Sequence, residues 1–130
     1  MGLKYLWDTN AVIYYLQNNF SEEAQELMNN IINEYQPAIS AITEIELLCW
    51  KIASENDIVI LKDFVADSVV IELENSIKVK TIEIRKSFNL KLPDAIIAAT
   101  AIYMNLTLIS NDRAGFQKIP SLKLSNPFVI

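Results

Sequence analysis

The sequence contains no histidine, one cysteine, two glycines and four prolines in 130 residues. Without histidine, the chain lacks the commonest general base and the commonest ligand of transition metals. Cys49 alone can form neither an intramolecular disulfide nor a cysteine-cluster zinc site. Low glycine and proline content, together with 52% hydrophobic and 21% charged residues, argues against a disordered or low-complexity chain. Mechanisms that need an imidazole are excluded, and a packed core is expected.

Long apolar runs are also missing. No uninterrupted run approaches the roughly 20 residues of a membrane span, and the first ten residues contain the charged Asp8 and no apolar signal-peptide core. We therefore expect a cytoplasmic protein. The length lies in the single-domain range, and neither a repeat nor a domain boundary is visible, so we expect one domain over residues 1–130.

Positive charge is scarce, with 11 Lys and Arg against 16 Asp and Glu and a net charge of −5. This balance disfavours a broad basic face for nucleic acid. Near Asp94 and Asp112 the basic residues are few. Arg113 follows Asp112, and five precede Asp94: Lys78, Lys80, Arg85, Lys86 and Lys91. A solvated helix face is the simpler explanation; contacts with RNA, if made, would be phosphate contacts without base specificity.

Short apolar runs alternate with helical patterns along the chain. Strands are predicted at residues 3–7, 36–39, 68–71, 107–109 and near 122–124. Helices are predicted at residues 11–16, from 22 onward, and at 41–53, 57–65, 76–88 and 95–104. Ser21 should cap the second helix, whose buried face would comprise Ala24, Leu27, Met28, Ile31 and Ile32. The alternation predicts an α/β three-layer sandwich, with a central, mostly parallel sheet and helices on both faces.

Four acidic residues occupy positions typical of a functional site. Asp8 and Asp112 follow predicted strands, Asp94 follows Pro93 at a helix start, and Glu46 lies on a mostly apolar helix. Ligands of parallel sheets bind beyond the carboxyl ends of the strands. Taken singly, Asp8 and Asp94 are explained equally well as helix caps, and Asp112 better as a turn residue. Together, the four acids predict one cleft.

Clustered carboxylates raise one another's pKa and destabilise a fold unless a cation neutralises them. Hard oxygen ligands suit Mg²⁺ or Mn²⁺. One or two such ions can activate water against a phosphodiester and neutralise charge on the leaving oxygen, without histidine. The cluster therefore predicts a metal site with hydrolytic chemistry.

Four ordered segments carry a family resemblance: WDTN at residues 7–10, ITEIEL at 42–47, KLPDAIIAATA at 91–101 and LISND at 108–112. They resemble the motifs of PIN-domain proteins, particularly VapC-type toxins, and span nearly the whole chain. LPDAIIAA is the most specific of them. The resemblance implies a PIN-like three-layer sandwich and a metal-dependent endoribonuclease that uses Mg²⁺ or Mn²⁺.

The resemblance also implies the site residues, with Asp8, Glu46, Asp94 and Asp112 as catalytic and metal-binding acids. Its second motif selects Glu46, not Glu44, and residues two apart on a helix point in different directions. Asn10 and Ser110 are candidates for positioning metal-bound water or a carboxylate, although capping is the simpler role. The chain departs from the family at Gly115, where members often carry an Asp before the Phe.

The partners implied by the resemblance are an RNA substrate, a cognate antitoxin and a second copy of the chain. Five aromatic residues could line a groove for an antitoxin helix, with burial in the core as the simpler alternative: Tyr14, Tyr15, Phe20, Trp50 and Phe64. Two other functions stay open, an RNA-processing nuclease outside toxin–antitoxin biology and a catalytically inactive binding module. The presence of all four acids counts against the latter, and no Asp–Lys arrangement favours a response-regulator-like domain.

Overall fold

The computed structural model describes residues 2–51, 54–111 and 115–130. The strands are β1 (Tyr5–Trp7), β2 (Ala38–Ser40), β3 (Val69–Ile71), β4 (Thr107–Ile109) and β5 (Lys123–Ser125). The α-helices are α1 (Thr9–Leu16), α2 (Glu22–Glu34), α3 (Ala41–Leu48), α4 (Glu55–Asp67), α5 (Asn75–Ser87) and α6 (Leu92–Tyr103). Short 3-10 helices cover Phe116–Lys118 and Pro127–Val129.

The strands form one sheet in the order β3-β2-β1-β4-β5, and every pairing within it is parallel. After β1 the chain builds one side of the sheet through β2 and β3, and then returns to β4 on the other side of β1. The boundary between β1 and β4 is therefore a topological switch point, where ligands of such sheets bind.

Successive strand residues face opposite sides of the sheet, and each side buries its own core. Leu6, Ala38 and Leu108 pack on one face beneath α5 and α6. Trp7, Ile39 and Ile109 pack on the other face against α1, α2, α3 and α4. Helices thus cover both faces, and the predicted α/β sandwich is confirmed.

Three of the six α-helices, α2, α3 and α4, begin after a serine whose hydroxyl accepts a hydrogen bond from a backbone amide of the first turn. The Ser21 hydroxyl accepts a hydrogen bond from the Ala24 amide at the start of α2. Pro93 lies in the first turn of α6, where its missing amide proton costs nothing, and residues 95–101 of that helix are all buried. At the start of α4, Ser54 and Asp57 form a reciprocal capping box. That box begins the helix earlier than residue 57, where the sequence analysis placed it.

Other expectations are corrected as well. Strand β1 begins at Tyr5 and not at residue 3, and helix α1 begins at Thr9 and not at residue 11. Strand β2 begins at Ala38 and not at residue 36, because Pro37 has no amide proton to donate to a neighbouring strand. Helix α3 ends at Leu48 and not near residue 53, and Trp50 packs against the core that α1 and α4 cover. Residues 52–53 of the predicted helix lie outside the described residues. In α2, Leu27 is exposed and not buried.

Most of the five aromatic residues considered for a partner groove belong to the core or to packed clusters. Phe64 and Tyr15 contact the buried Trp7, with ring centroids 5.4 and 5.3 Å away. Tyr14 and Phe20 pack with Phe128 near the end of the chain. In the described parts of the chain, no helix combines the length and the apolar character needed to span a membrane.

Candidate active site

An open cleft of about 410 Å³ lies at the carboxyl end of β1. Its described lining comprises Asp8, Thr9, Asn10, Glu46, Asn89, Lys91, Asp94, Asn111 and Phe116. We call it the acidic cleft, because three carboxylates reach it from three separate elements. Asp8 follows β1, Glu46 lies on α3, and Asp94 lies in the first turn of α6.

Asp8 joins the two strands at the switch point. Its amide donates a hydrogen bond to the Ile109 carbonyl of β4 at 3.0 Å. Its carboxylate Oδ2 accepts a hydrogen bond of 2.7 Å from the Ser110 hydroxyl. Although Asp8 is the residue before α1, its side chain makes no capping hydrogen bond to that helix. Asp8 is only 7% exposed, and its carboxylate accepts hydrogen bonds from the Ser110 hydroxyl and from the backbone amide of Thr9.

Glu46 is held by the residue after Asp8. The Thr9 hydroxyl donates to Glu46 Oε1 at 2.6 Å and lies 3.1 Å from the hydroxyl of the buried Thr43. Glu44, two residues before Glu46 on α3, is not among the described residues that line the cleft. Thr9 therefore links α1 to α3 through the carboxylate.

The two more buried acids have shifted acidities. The pKa of Asp8 is raised chiefly by burial; hydrogen bonds from Ser110 and the Thr9 backbone oppose the shift, and the nearby charges of Asp94 and Glu46 add to it. The pKa of Asp94 is raised by burial and by Glu46, while Lys91 lowers it. The three carboxylates are thus close enough to repel one another, which favours binding of a cation.

The remaining predicted site residues fall in three different places. Ser110 is buried against Asp8, whereas Asn10 lies exposed in α1 and lines the cleft without capping a helix. Asp112 lies outside the described residues. Gly115 has a φ of +83°, a left-handed conformation that glycine adopts without steric cost.

The donor chemistry of the cleft fits a hard divalent cation. The oxygen atoms available to a cation there belong to carboxylates, hydroxyls and amides, and no thiolate or imidazole occurs among the described lining residues. In the described part of the chain, none of the three acids forms an ion pair with Lys or Arg, since the pair found there is Lys80–Glu83. The described residues do not, however, include three acids grouped tightly enough to hold an ion by themselves.

Thr9, Asn89, Asn111 and Phe116 also line the cleft, and the sequence analysis assigned no site role to any of them. Thr9 and Asn111 lie inside the first and fourth motifs, so their position next to Asp8 and Ser110 was an available signal. Asn89 lies outside the four motif segments. It reaches the cleft only through the packing of α5 against α6.

Comparisons with known proteins identify the family and the fold. The family model described as the PIN domain matches residues 5–122. No curated protein matches the chain by sequence.

Three solved structures illustrate the fold similarity. A DNA-bound VapBC from Salmonella typhimurium matches with a TM-score of 0.81 and 24% identity, over 96% of this chain and 98% of that one. VapBC2 from Rickettsia felis, bound to a promoter DNA fragment, matches with a TM-score of 0.79 and 24% identity, over 97% of this chain and 98% of that one. A toxin–antitoxin complex from Klebsiella pneumoniae matches with a TM-score of 0.75 and 26% identity, over 96% of this chain and 98% of that one. The likeness extends along almost the entire chain.

Proposed function

The chain belongs to the PIN domain family, and from that premise we propose that it is a metal-dependent endoribonuclease acting as the toxin of a type II toxin–antitoxin pair. The observation that carries the proposal is the gathering of Asp8, Glu46 and Asp94 in one cleft at the switch point of the sheet. The solved toxin–antitoxin complex that resembles the chain supports the biological role.

We propose Asp8, Glu46 and Asp94 as the acids that hold Mg²⁺ or Mn²⁺, together with Asp112, which lies outside the described residues. The chemistry supplied by such an ion is activation of water near neutral pH and neutralisation of charge on the leaving oxygen. Ser110 orients the Asp8 carboxylate, and Thr9 orients that of Glu46. Asn10, exposed at the cleft, can donate a hydrogen bond to water or to the RNA.

The partners are an RNA substrate, a cognate antitoxin and a second copy of the chain. Support for protein partners comes from apolar side chains exposed on the neighbouring helices α3 and α4. Ile45, Leu48 and Val59 are 55%, 48% and 56% exposed. Native mass spectrometry of the chain alone should give a dimer, and a spectrum of monomer only would refute that state. Co-expression with the product of a neighbouring small reading frame should suppress cleavage.

Cleavage of a mixed panel of structured RNAs tests the activity. The purified chain is assayed with Mg²⁺ or Mn²⁺ and with EDTA, beside Asp94→Asn. The variant should lose more than about 100-fold in rate, because even residues that only support metal ligands are worth about 10–100-fold. Asp63→Asn is the matched control, since it removes an exposed carboxylate of α4 away from the cleft.

Cutting that needs metal, is lost in Asp94→Asn and is kept in Asp63→Asn would support the proposal. Equal cutting by wild type and Asp94→Asn would contradict the site. Cutting that persists in EDTA would contradict the metal dependence.

A further inference from the structure

Lys91 occupies an unusual electrostatic position at the acidic cleft. It lies in the connection between α5 and α6, immediately before the first residue of α6, and its side chain is exposed. Among the described residues that line the cleft, it is the one with a positive charge. Its charge lowers the pKa of Asp94, so the ammonium group is close to the carboxylates.

The four basic residues that lie between 78 and 86, shortly before Lys91 in the sequence, are placed elsewhere. Lys78, Lys80, Arg85 and Lys86 all belong to α5, and none of them lines the cleft. Lys80 instead pairs with Glu83 on the same helix, at 3.1 Å. Of the five basic residues that the sequence places shortly before Asp94, Lys91 is thus the one that lines the cleft. Arg113 lies outside the described residues.

A phosphodiester that enters this cleft meets a strongly negative environment, because the chain carries a net charge of −5 and three carboxylates line the cavity. A metal ion offsets that repulsion only at the position where it binds. The adjoining phosphates of a polynucleotide need separate compensation, and an exposed ammonium group at the rim supplies it. Asn89, two residues before Lys91, lines the same cleft and offers amide donors.

We propose that Lys91 binds a backbone phosphate of the RNA next to the scissile position, and that the amide of Asn89, which lines the same acidic cleft, donates to the RNA backbone as well. This inference rests on the proposed nuclease function and adds where on the cleft the RNA backbone lies. The contact is electrostatic, so it strengthens binding of every RNA sequence to a similar degree.

The test measures how RNA binding depends on salt. Binding of a fluorescein-labelled, mixed-sequence single-stranded RNA is followed by anisotropy from low to moderate KCl at constant Mg²⁺. All chains carry Asp8→Asn, which should prevent cleavage while leaving an amide oxygen to accept the Ser110 hydrogen bond. Lys91→Gln is compared with Lys86→Gln, which makes the same change in net charge at an exposed position on α5 outside the cleft.

Each phosphate contact on a single strand contributes about 0.7 to the slope of log affinity against log salt. Lys91→Gln should therefore weaken binding several-fold at low salt and make the slope shallower by about 0.7, whereas Lys86→Gln should change neither. An unchanged slope in Lys91→Gln, or equal changes in both variants, would overturn the inference.

The outcome is separable from that of the proposed function. A chain that cleaves RNA with metal and shows no slope change in Lys91→Gln refutes only the phosphate contact. If the protein never cleaves RNA but Lys91→Gln makes the salt slope of RNA binding shallower, the nuclease function is refuted and the phosphate contact is supported.

Discussion

Asp8 shows how a single carboxylate can be both buried and hydrogen-bonded while its neighbours still oppose its charge. Ser110 and the Thr9 backbone stabilise the ionised form, but burial and the charges of Asp94 and Glu46 outweigh them, so the pKa of Asp8 is raised. A group arranged in this way costs stability when ionised. The cost is consistent with a position kept for binding a cation.

The pH dependence of stability tests this description of Asp8. Because its folded pKa is raised, its contribution to the unfolding free energy is fully present below the unfolded pKa of about 3.9 and is lost as pH rises through the folded pKa. The amide of Asp8→Asn does not titrate, so this variant does not lose that stability as pH rises. In EDTA, the thermal midpoint of Asp8→Asn minus that of wild type should increase between about pH 4 and pH 7. A difference that stays constant, or falls, over that range would contradict the raised pKa.

Thr9 is the residue whose side chain links two of the cleft's elements. Thr9→Val removes the hydroxyl that holds Glu46 and leaves the shape nearly unchanged. A hydrogen bond to a charged group is worth about 1.5–3 kcal/mol, which is more than tenfold in rate. Because this one is solvent-exposed, we expect a smaller effect, with cleavage falling by about three- to tenfold. Thr9→Ser, which keeps the hydroxyl, should retain most of the activity. If the Val variant cleaves as fast as wild type, Thr9 does not position Glu46.

At the scale of the elements, α6 connects the core to the cleft. Its first turn carries Asp94, and residues 95–101 are buried, with four alanines allowing α5 and the sheet to approach closely. Such a helix cannot shift without disturbing both sides. The position of Asp94 is therefore fixed by packing and not by local hydrogen bonds alone.

Overpacking at α6 should reveal this coupling. Ala98→Leu adds three carbon atoms at a fully buried position and should lower the unfolding free energy by about 1–3 kcal/mol in urea denaturation. Ala66→Leu is the matched control, because Ala66 is exposed on α4 and should change stability by less than about 0.5 kcal/mol. Equal stability of the two variants would show that the packing under α6 is loose.

At the scale of the whole molecule, a chain with a net charge of −5 brings three carboxylates into one cleft, where their charges oppose one another. A bound cation would relieve this repulsion and, by binding only the folded state, would stabilise the protein. At a Mg²⁺ concentration ten times its dissociation constant, the gain would be about 1.4 kcal/mol.

A Mg²⁺ titration of the thermal midpoint checks this expectation. The midpoint of wild type at neutral pH should rise with Mg²⁺ beyond the rise in NaCl of equal ionic strength. Asp8→Asn and Asp94→Asn should show a smaller rise. Identical curves for wild type and both variants would mean that any bound Mg²⁺ lies elsewhere.

The sequence alone was sufficient for the order of strands and helices and for the positions of Asp8 and Asp94 at the ends of their elements. Those features depend on local chemistry: apolar periodicity, the tolerance of Pro93 in a first helical turn, and polar residues that follow short strands. The family motifs added Glu46 in preference to Glu44. The errors concern the ends of elements, as at β1, β2, α1, α3 and α4, and one residue on a helix face, Leu27.

Tertiary structure alone decided which side chains meet. Ser110 reaches Asp8 across 102 residues, and Thr9 reaches Glu46 across 37. Lys91 lines the cleft while the lysines of α5 do not. Such contacts depend on how the helices dock on the two faces of the sheet, which is set by the summed packing of side chains distant in sequence. Local periodicity carries no information about that sum.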